Sequence, residues 1–204
     1  VEVPAMAPRT REELAMMSSL WPINYKPREE EGGARLSDDD KLVALRNLVE
    51  ALDCLQNETD ACRPSRNAAI IFDPETHEHV ARAIASDEDP LEHAIMRCIS
   101  QASKALPDRP GGARYMCTGL ECYVLREPCV MCTMALVHSR IRRTFFVVRH
   151  PSFGGLVGPK IHREKAINHH FEAYEVECAL RAHCQGLLSA MTGEVPSISS
   201  SGTS

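Results

Sequence analysis

No stretch of the sequence approaches the roughly 20 consecutive apolar residues that a bilayer-spanning helix needs, so no membrane partner is expected. No signal peptide is visible, although the first residue is Val1 rather than Met and any segment ahead of it lies beyond the reading. The nine cysteines are odd in number and form no regular framework. Without secretory features they read as reduced thiols of a cytoplasmic or nuclear protein. No internal repeat is apparent. A positive balance of charge is missing as well: 23 Lys and Arg against 28 Asp and Glu leave −5. In bulk that argues against a nucleic-acid partner.

What is present suffices for one sizeable core. The chain has 204 residues, 44% of them hydrophobic, which is ordinary for a soluble globular protein. The charge is unevenly spread. Glu29 to Glu31, Asp38 to Asp40 and Asp87 to Asp89 load the first half with acid. Between positions 140 and 170 stand Arg140, Arg142, Arg143, Arg149, Lys160, Arg163 and Lys165 against the single acid Glu164. Local potential governs docking, so this run is a candidate RNA-binding surface, with a solvated basic face as the bland alternative.

Residues 1–36 mix Pro, Glu, Arg and Gly around Trp21-Pro22 and read as an N-terminal arm or linker. A helix should start at Ser37, where Ser37-x-x-Asp40 resembles a capping box and the aspartates suit the positive end of the helix dipole. Leu42, Leu45, Leu48, Val49, Leu52 and Leu55 follow at helical spacing. Ala68 to Phe72 and Val80 to Ala85 suggest a two-stranded hairpin. Pro90 fits the first turn of a second helix running to about Leu106. Strands are expected over Cys122 to Leu125, Thr144 to Val148 and Ala173 to Val176, and helices over Cys129 to Ser139 and near Ile161 to Ala166. A domain over 37–178 and a tail over 179–204 complete the layout, with a helix possible at 178–192 and a disordered Ser- and Gly-rich end. The alternation of strands and helices predicts a mixed α/β layer fold.

Two short segments carry chemistry. One is Glu92-His93-Ala94-Ile95; the other is Pro128-Cys129-Val130-Met131-Cys132. Two cysteines three apart in the first turn of a helix place both sulfurs on one side. The helix N-terminus favours thiolate, the form that binds metal. With His93 at a second helix start, a Cys₂His site for Zn²⁺ is expected, its fourth position left to water or another group. A lone C-x-x-C is weak evidence; the same pair after a histidine, each at a predicted helix start, is strong.

The zinc-dependent nucleobase deaminases carry His-x-Glu followed by Pro-Cys-x-x-Cys, the Glu acting as general acid and base. Here the ligands are in place and the Glu position is Ile95. Proton shuttling of this kind contributes roughly 10²–10⁴-fold, and an aliphatic side chain cannot supply it. Glu92 lies on a nearby helical face as a possible substitute, but reads more simply as a dipole-favoured surface carboxylate. The chain is therefore expected to have no catalytic residue of its own.

Tyr115 to Gly119, then Glu127 to Arg142, resemble the tRNA adenosine deaminase family of the cytidine-deaminase-like superfamily. Leu156, Gly158 and the segment Ile167 to Tyr174 look like the non-catalytic subunit of its eukaryotic heterodimer, which has an aliphatic residue in place of the catalytic Glu. The resemblance covers roughly residues 20–178. It implies a three-layer α/β/α fold with a five-stranded mixed sheet, zinc on His93, Cys129 and Cys132, and a pseudo-catalytic position at Ile95. It also implies a catalytic adenosine deaminase subunit as partner, acting on position 34 of the tRNA anticodon arm. The family's additional N-terminal RNA-binding domain has no counterpart in this sequence. On this reading Arg142, Arg143, Arg149, Lys160, Arg163 and Lys165 help position the tRNA. The rivals are a free-nucleotide or base deaminase with an atypical proton donor and a zinc-stabilised interaction module.

Overall fold

The computed structural model describes residues 36–57, 67–86, 88–105 and 115–185. The arm up to position 35, the far end of the tail and its Ser-rich terminus lie outside the described residues.

Helix α1 runs over Asp38–Asn57. Its start is the expected reciprocal cap: the Asp40 N–H donates to Ser37 Oγ at 3.0 Å and the Ser37 N–H donates to Asp40 Oδ2 at 3.1 Å. The buried face is Ala44, Asn47, Leu48, Ala51, Leu52 and Leu55, whereas Leu42 and Val49 of the predicted stripe are exposed. Small residues let the helix sit close on the sheet, so alanines take places that hydrophobicity alone assigns to larger side chains.

Strands β1 (Ala68–Asp73) and β2 (Glu78–Ile84) form the predicted hairpin, antiparallel, with a register shift between Ile71 and Phe72. Strand β3 (Glu121–Arg126) pairs antiparallel with β1. Strands β4 (Arg143–Val148) and β5 (Glu172–Glu175) then add in parallel. The result is a five-stranded mixed sheet in the order β2-β1-β3-β4-β5. Helix α2 (Ala94–Ala105) follows β2, and α3 (Val130–His138) makes the crossover between β3 and β4.

Alternate strand residues feed two cores. Ile70, Phe72, Tyr123, Leu125, Phe145 and Val147 pack with Leu48, Leu52 and Leu55 of α1. Ile71, Cys122, Val124 and Phe146 pack with Ile95, Cys98 and Ala102 of α2 and with Cys132, Leu136 and Val137 of α3. Helix α1 on one face and α2 and α3 on the other make the three-layer α/β/α arrangement. Although aromatics are only 5% of the chain, four of them line up across the α1 face. Phe72 meets Tyr123 edge-on at 6.0 Å, Tyr123 stacks on Phe145 at 4.9 Å, and Phe145 stacks on Tyr174 at 5.1 Å.

Two expectations are corrected. Pro90 precedes the second helix instead of entering it: Asp89 takes the Leu91 N–H on its side chain at 2.8 Å and the Glu92 N–H on its carbonyl at 3.1 Å, closing a separate turn. The helix near Ile161 is one 3₁₀ turn, Ile161–Arg163. Within the segment 178–192, where a helix is expected, 180–185 are helical as far as the residues are described, and Cys184 is fully buried in the α1-side core.

Candidate metal centre

The parallel strand β3 ends at Arg126, and Glu127-Pro128 lead directly into α3. In open α/β sheets ligands gather at the carboxyl ends of strands, and here that end delivers two sulfurs. Cys129 is the N-cap of α3, with extended backbone, and its carbonyl accepts the first helical bond, from the Thr133 N–H at 2.8 Å. Cys132 follows in the first turn. His93 stands in the same position on α2: its carbonyl accepts from the Arg97 N–H at 3.0 Å, so the imidazole projects from a helix start.

The two helix starts converge. His93 Nδ1 lies 3.5 Å from Cys129 Sγ and 3.4 Å from Cys132 Sγ. All three ligand atoms fall within 4.8 Å of one another. The S–H of Cys132 holds the Cys129 thiol down at about 5, against the opposing effect of burial. Cys132 moves far in the other direction, because its proton is shared with Cys129 and its surroundings are dry. Two close sulfurs at the start of α3 thus oppose each other's ionisation, and a cation between them favours both thiolates. Two thiolates and an imidazole are the donor set of tetrahedral zinc with one position open. The residues present fit that metal.

Ile95 lies in the first turn of α2 and is 2% exposed, packed into the core that also contains Cys132 and Leu156. Glu92 does not approach as a substitute. It precedes the helix, is half exposed, and faces Arg97 across 3.8 Å.

Glu127, to which no role falls from the sequence, is 3% exposed. Its Oε1 accepts from the Leu156 and Val157 N–H groups at 3.0 and 2.8 Å, and its Oε2 from the His150 N–H at 3.1 Å. This carboxylate ties the 150–157 segment against the cysteine turn, where Gly155 donates to the Pro128 carbonyl at 2.8 Å and Val130 to the Phe153 carbonyl at 3.1 Å. A Cβ on Gly154 would stand 2.4 Å from the Glu127 carboxylate, and one on Gly155 would stand 2.3 Å from Thr133 Oγ1. Only glycine lets the loop approach so closely. The signal was an acid closing an apolar strand just before Pro-Cys.

Of the basic residues, Arg149, Lys160 and Arg163 come together around one cavity. Arg142 and Lys165 are exposed and do not line it. Arg143 is corrected: it is turned inward, donating from Nε to Glu121 Oε1 at 2.7 Å and from Nη2 to Asp40 Oδ1 at 2.6 Å. It belongs to the fold's interior and not to a basic face.

The sequence matches the family described as the cytidine and deoxycytidylate deaminase zinc-binding region over residues 45–148. It is 30% identical over 209 residues to the "probable inactive tRNA-specific adenosine deaminase-like protein 3" of Danio rerio, covering 86% of this chain and 60% of that protein. It is 32% identical over 187 residues to the tRNA-specific adenosine deaminase subunit tad3 of Schizosaccharomyces pombe, covering 84% of this chain and 57% of that one. The chain thus spans less than two thirds of the length of these relatives. A solved structure from work on A-to-I editing by tRNA:A34 deaminases superposes with a TM-score of 0.52 at 24% identity, over 70% of this chain and 95% of the other. That likeness concerns the fold.

Proposed function

The chain belongs to the cytidine and deoxycytidylate deaminase zinc-binding family, and from that membership we propose that it is the catalytically silent, zinc-binding subunit of a tRNA adenosine deaminase. In this reading a catalytic partner converts adenosine to inosine at position 34, and this chain supports the partner and helps hold the anticodon arm. The single observation that carries it is Ile95, buried beside the His93, Cys129 and Cys132 triad. When bound, zinc would polarise a water or hold a fourth ligand. His93 and the two cysteines would fix the metal between two helix starts. What the triad lacks is a group to move a proton: Ile95 has none, and its side chain fills the space with core hydrocarbon. The names of the relatives, "probable inactive" and "subunit", support the same reading. We assign the protein to the cytoplasm or nucleus, where free thiols persist.

The metal is structural in effect. Joining α2 to α3, it should raise the melting temperature, and chelation or the Cys129→Ala/Cys132→Ala pair should lower it and abolish zinc content. Metal analysis of the purified chain finding no zinc, or unchanged melting of the double variant, would overturn this.

Deamination separates the rivals. The chain alone should leave both tRNA and free nucleosides unconverted, and adding the catalytic partner should produce inosine at position 34. Robust turnover of nucleosides by the unaltered chain would establish the enzyme alternative. A partner equally active without this chain would leave only the interaction module. Ile95→Glu should return weak turnover at most, while an unpaired carboxylate at so dry a site costs about 2–4 kcal/mol of stability.

A further inference from the structure

A cavity of about 200 Å³, lined by none of the three metal ligands, lies against β4, β5 and the 3₁₀ turn Ile161–Arg163. Phe146, Leu156 and Val157 give it apolar walls, and Arg149, Lys160 and Arg163 stand around it. Glu175 also lines it but is already engaged: Oε2 accepts from Arg149 Nε at 2.8 Å and Oε1 from Arg181 Nη2 at 2.6 Å. The lining therefore keeps an excess of positive charge. Within it sits His162, 4% exposed, its ring 5.4 Å from that of Phe171. His162 Nδ1 is buried and has no hydrogen-bond partner among the described residues.

We propose that this cavity binds a phosphate group, with Lys160 and Arg163 meeting its charge and His162 completing its hydrogen bonds. A buried imidazole nitrogen without a partner is a cost that a fold rarely carries, and here the ring that bears it belongs to a residue lining a cationic cavity. Tetrahedral phosphate offers acceptor oxygens in several directions, enough for an ammonium, a guanidinium and an imidazole at once. The size agrees: pockets enclosing a whole drug-sized ligand run to roughly 300–1,000 Å³, so this one takes a group and not an entire nucleotide. Burial foremost, and then the neighbouring Arg163, His170 and Lys160, keep His162 at about 4, so near neutral pH it is an uncharged partner that costs less to leave dry. Lys160 itself stands in the left-handed region, at φ 50° and ψ 43°. The Ile161 N–H holds that turn by donating to the Gly155 carbonyl at 3.0 Å. Because Leu156 and Val157 are also the residues tied to Glu127, the cavity and the metal centre share one segment of chain.

Nitrogen-15 NMR of the full chain, titrated with inorganic phosphate, tests the site without reference to deamination. The His162 imidazole and the amides of 160–163 should shift together and saturate. In Lys160→Gln/Arg163→Gln the apparent affinity should fall about tenfold or more. His162→Phe, which keeps a ring against Phe171, should weaken binding while the melting temperature holds; should it fail to fold, the glutamine pair decides alone. An anticodon stem-loop that competes with phosphate identifies an RNA phosphodiester as the source. Competition by adenosine monophosphate but not by RNA identifies a free nucleotide, and in both cases the phosphate site stands. No shift at His162, or equal affinity in the glutamine pair and the parent, overturns it.

Discussion

Replacing Glu127 with alanine is expected to cost the fold about 3–5 kcal/mol, because one buried and two part-buried N–H groups lose a charged acceptor, and water can replace part of what the two part-buried ones lose. For a domain of this size that is a fall in melting temperature of about 10 °C. The loss should begin locally. The amides of His150, Leu156 and Val157 all donate to this carboxylate, so their hydrogen exchange should accelerate before that of β3 or β4. Glu127→Gln keeps an oxygen toward Leu156 and Val157 and turns an NH₂ toward the His150 amide. Its cost should be about 1–2 kcal/mol. Thermal unfolding of both variants with residue-resolved exchange checks this ordering. An alanine variant that melts with the parent would mean the loop is held by its glycine contacts alone.

Arg143→Met should be of similar size, about 3–5 kcal/mol, for a different reason: it leaves a buried charge without its partner. Arg143 and Glu121 have side chains only 11% and 2% exposed, and they are register neighbours on β4 and β3. The other Glu121 oxygen accepts from Tyr123 Oη at 2.6 Å, so the orphaned carboxylate would keep one bond and lose its counter-charge. Changing both residues, Glu121→Gln with Arg143→Met, should recover most of the loss, since a neutral pair has no charge to strand. Should the double variant be as unstable as the sum of its parts, packing and not charge is what Arg143 supplies. There is a pH signature too. The Arg143 guanidinium, and after it the Ser37 hydroxyl, hold Asp40 down at about 2. A depressed carboxylate adds stability that is complete above its unfolded value near 4. That stability drains away as pH falls toward 2, and Arg143→Met should flatten this acid limb.

The contrast between Arg142 and Arg143 shows where sequence reading stops. Charge counting treats two adjacent arginines alike, but Arg142 lies in the bend before β4 and reaches solvent, while Arg143 opens the strand and reaches Glu121. Nothing local to either residue says which. The metal triad was legible because ligand chemistry imposes its own spacing: two thiols one helical turn apart and an imidazole at a second helix start. The strand and helix order was legible from alternation of short apolar runs with amphipathic ones. Glu127 was not, because its partners are backbone groups 23 to 30 residues further along the chain, and backbone amides leave no mark on composition. The buried face of α1 was half legible for a related reason. Leu48, Leu52 and Leu55 stand out by size, but Ala44 and Ala51 are inside only because the sheet comes close.

The two faces of the sheet carry different natural reporters. On the α1 side Tyr123 and Tyr174 are clamped in ring stacks with Phe145 between them, a chiral chromophore array whose near-ultraviolet circular dichroism depends on that layer staying ordered. On the opposite side the core is rich in thiols, with Cys98, Cys117, Cys122 and Cys132 buried among aliphatic residues. Burial pushes Cys98 and Cys117 up to about 12 and 11, silencing them toward alkylating reagents until water enters. Spectroscopy, and thiol labelling read out at Cys98 and Cys117, therefore watch opposite faces of the same sheet, and a denaturant series followed by both would reveal whether the layers part together or in turn.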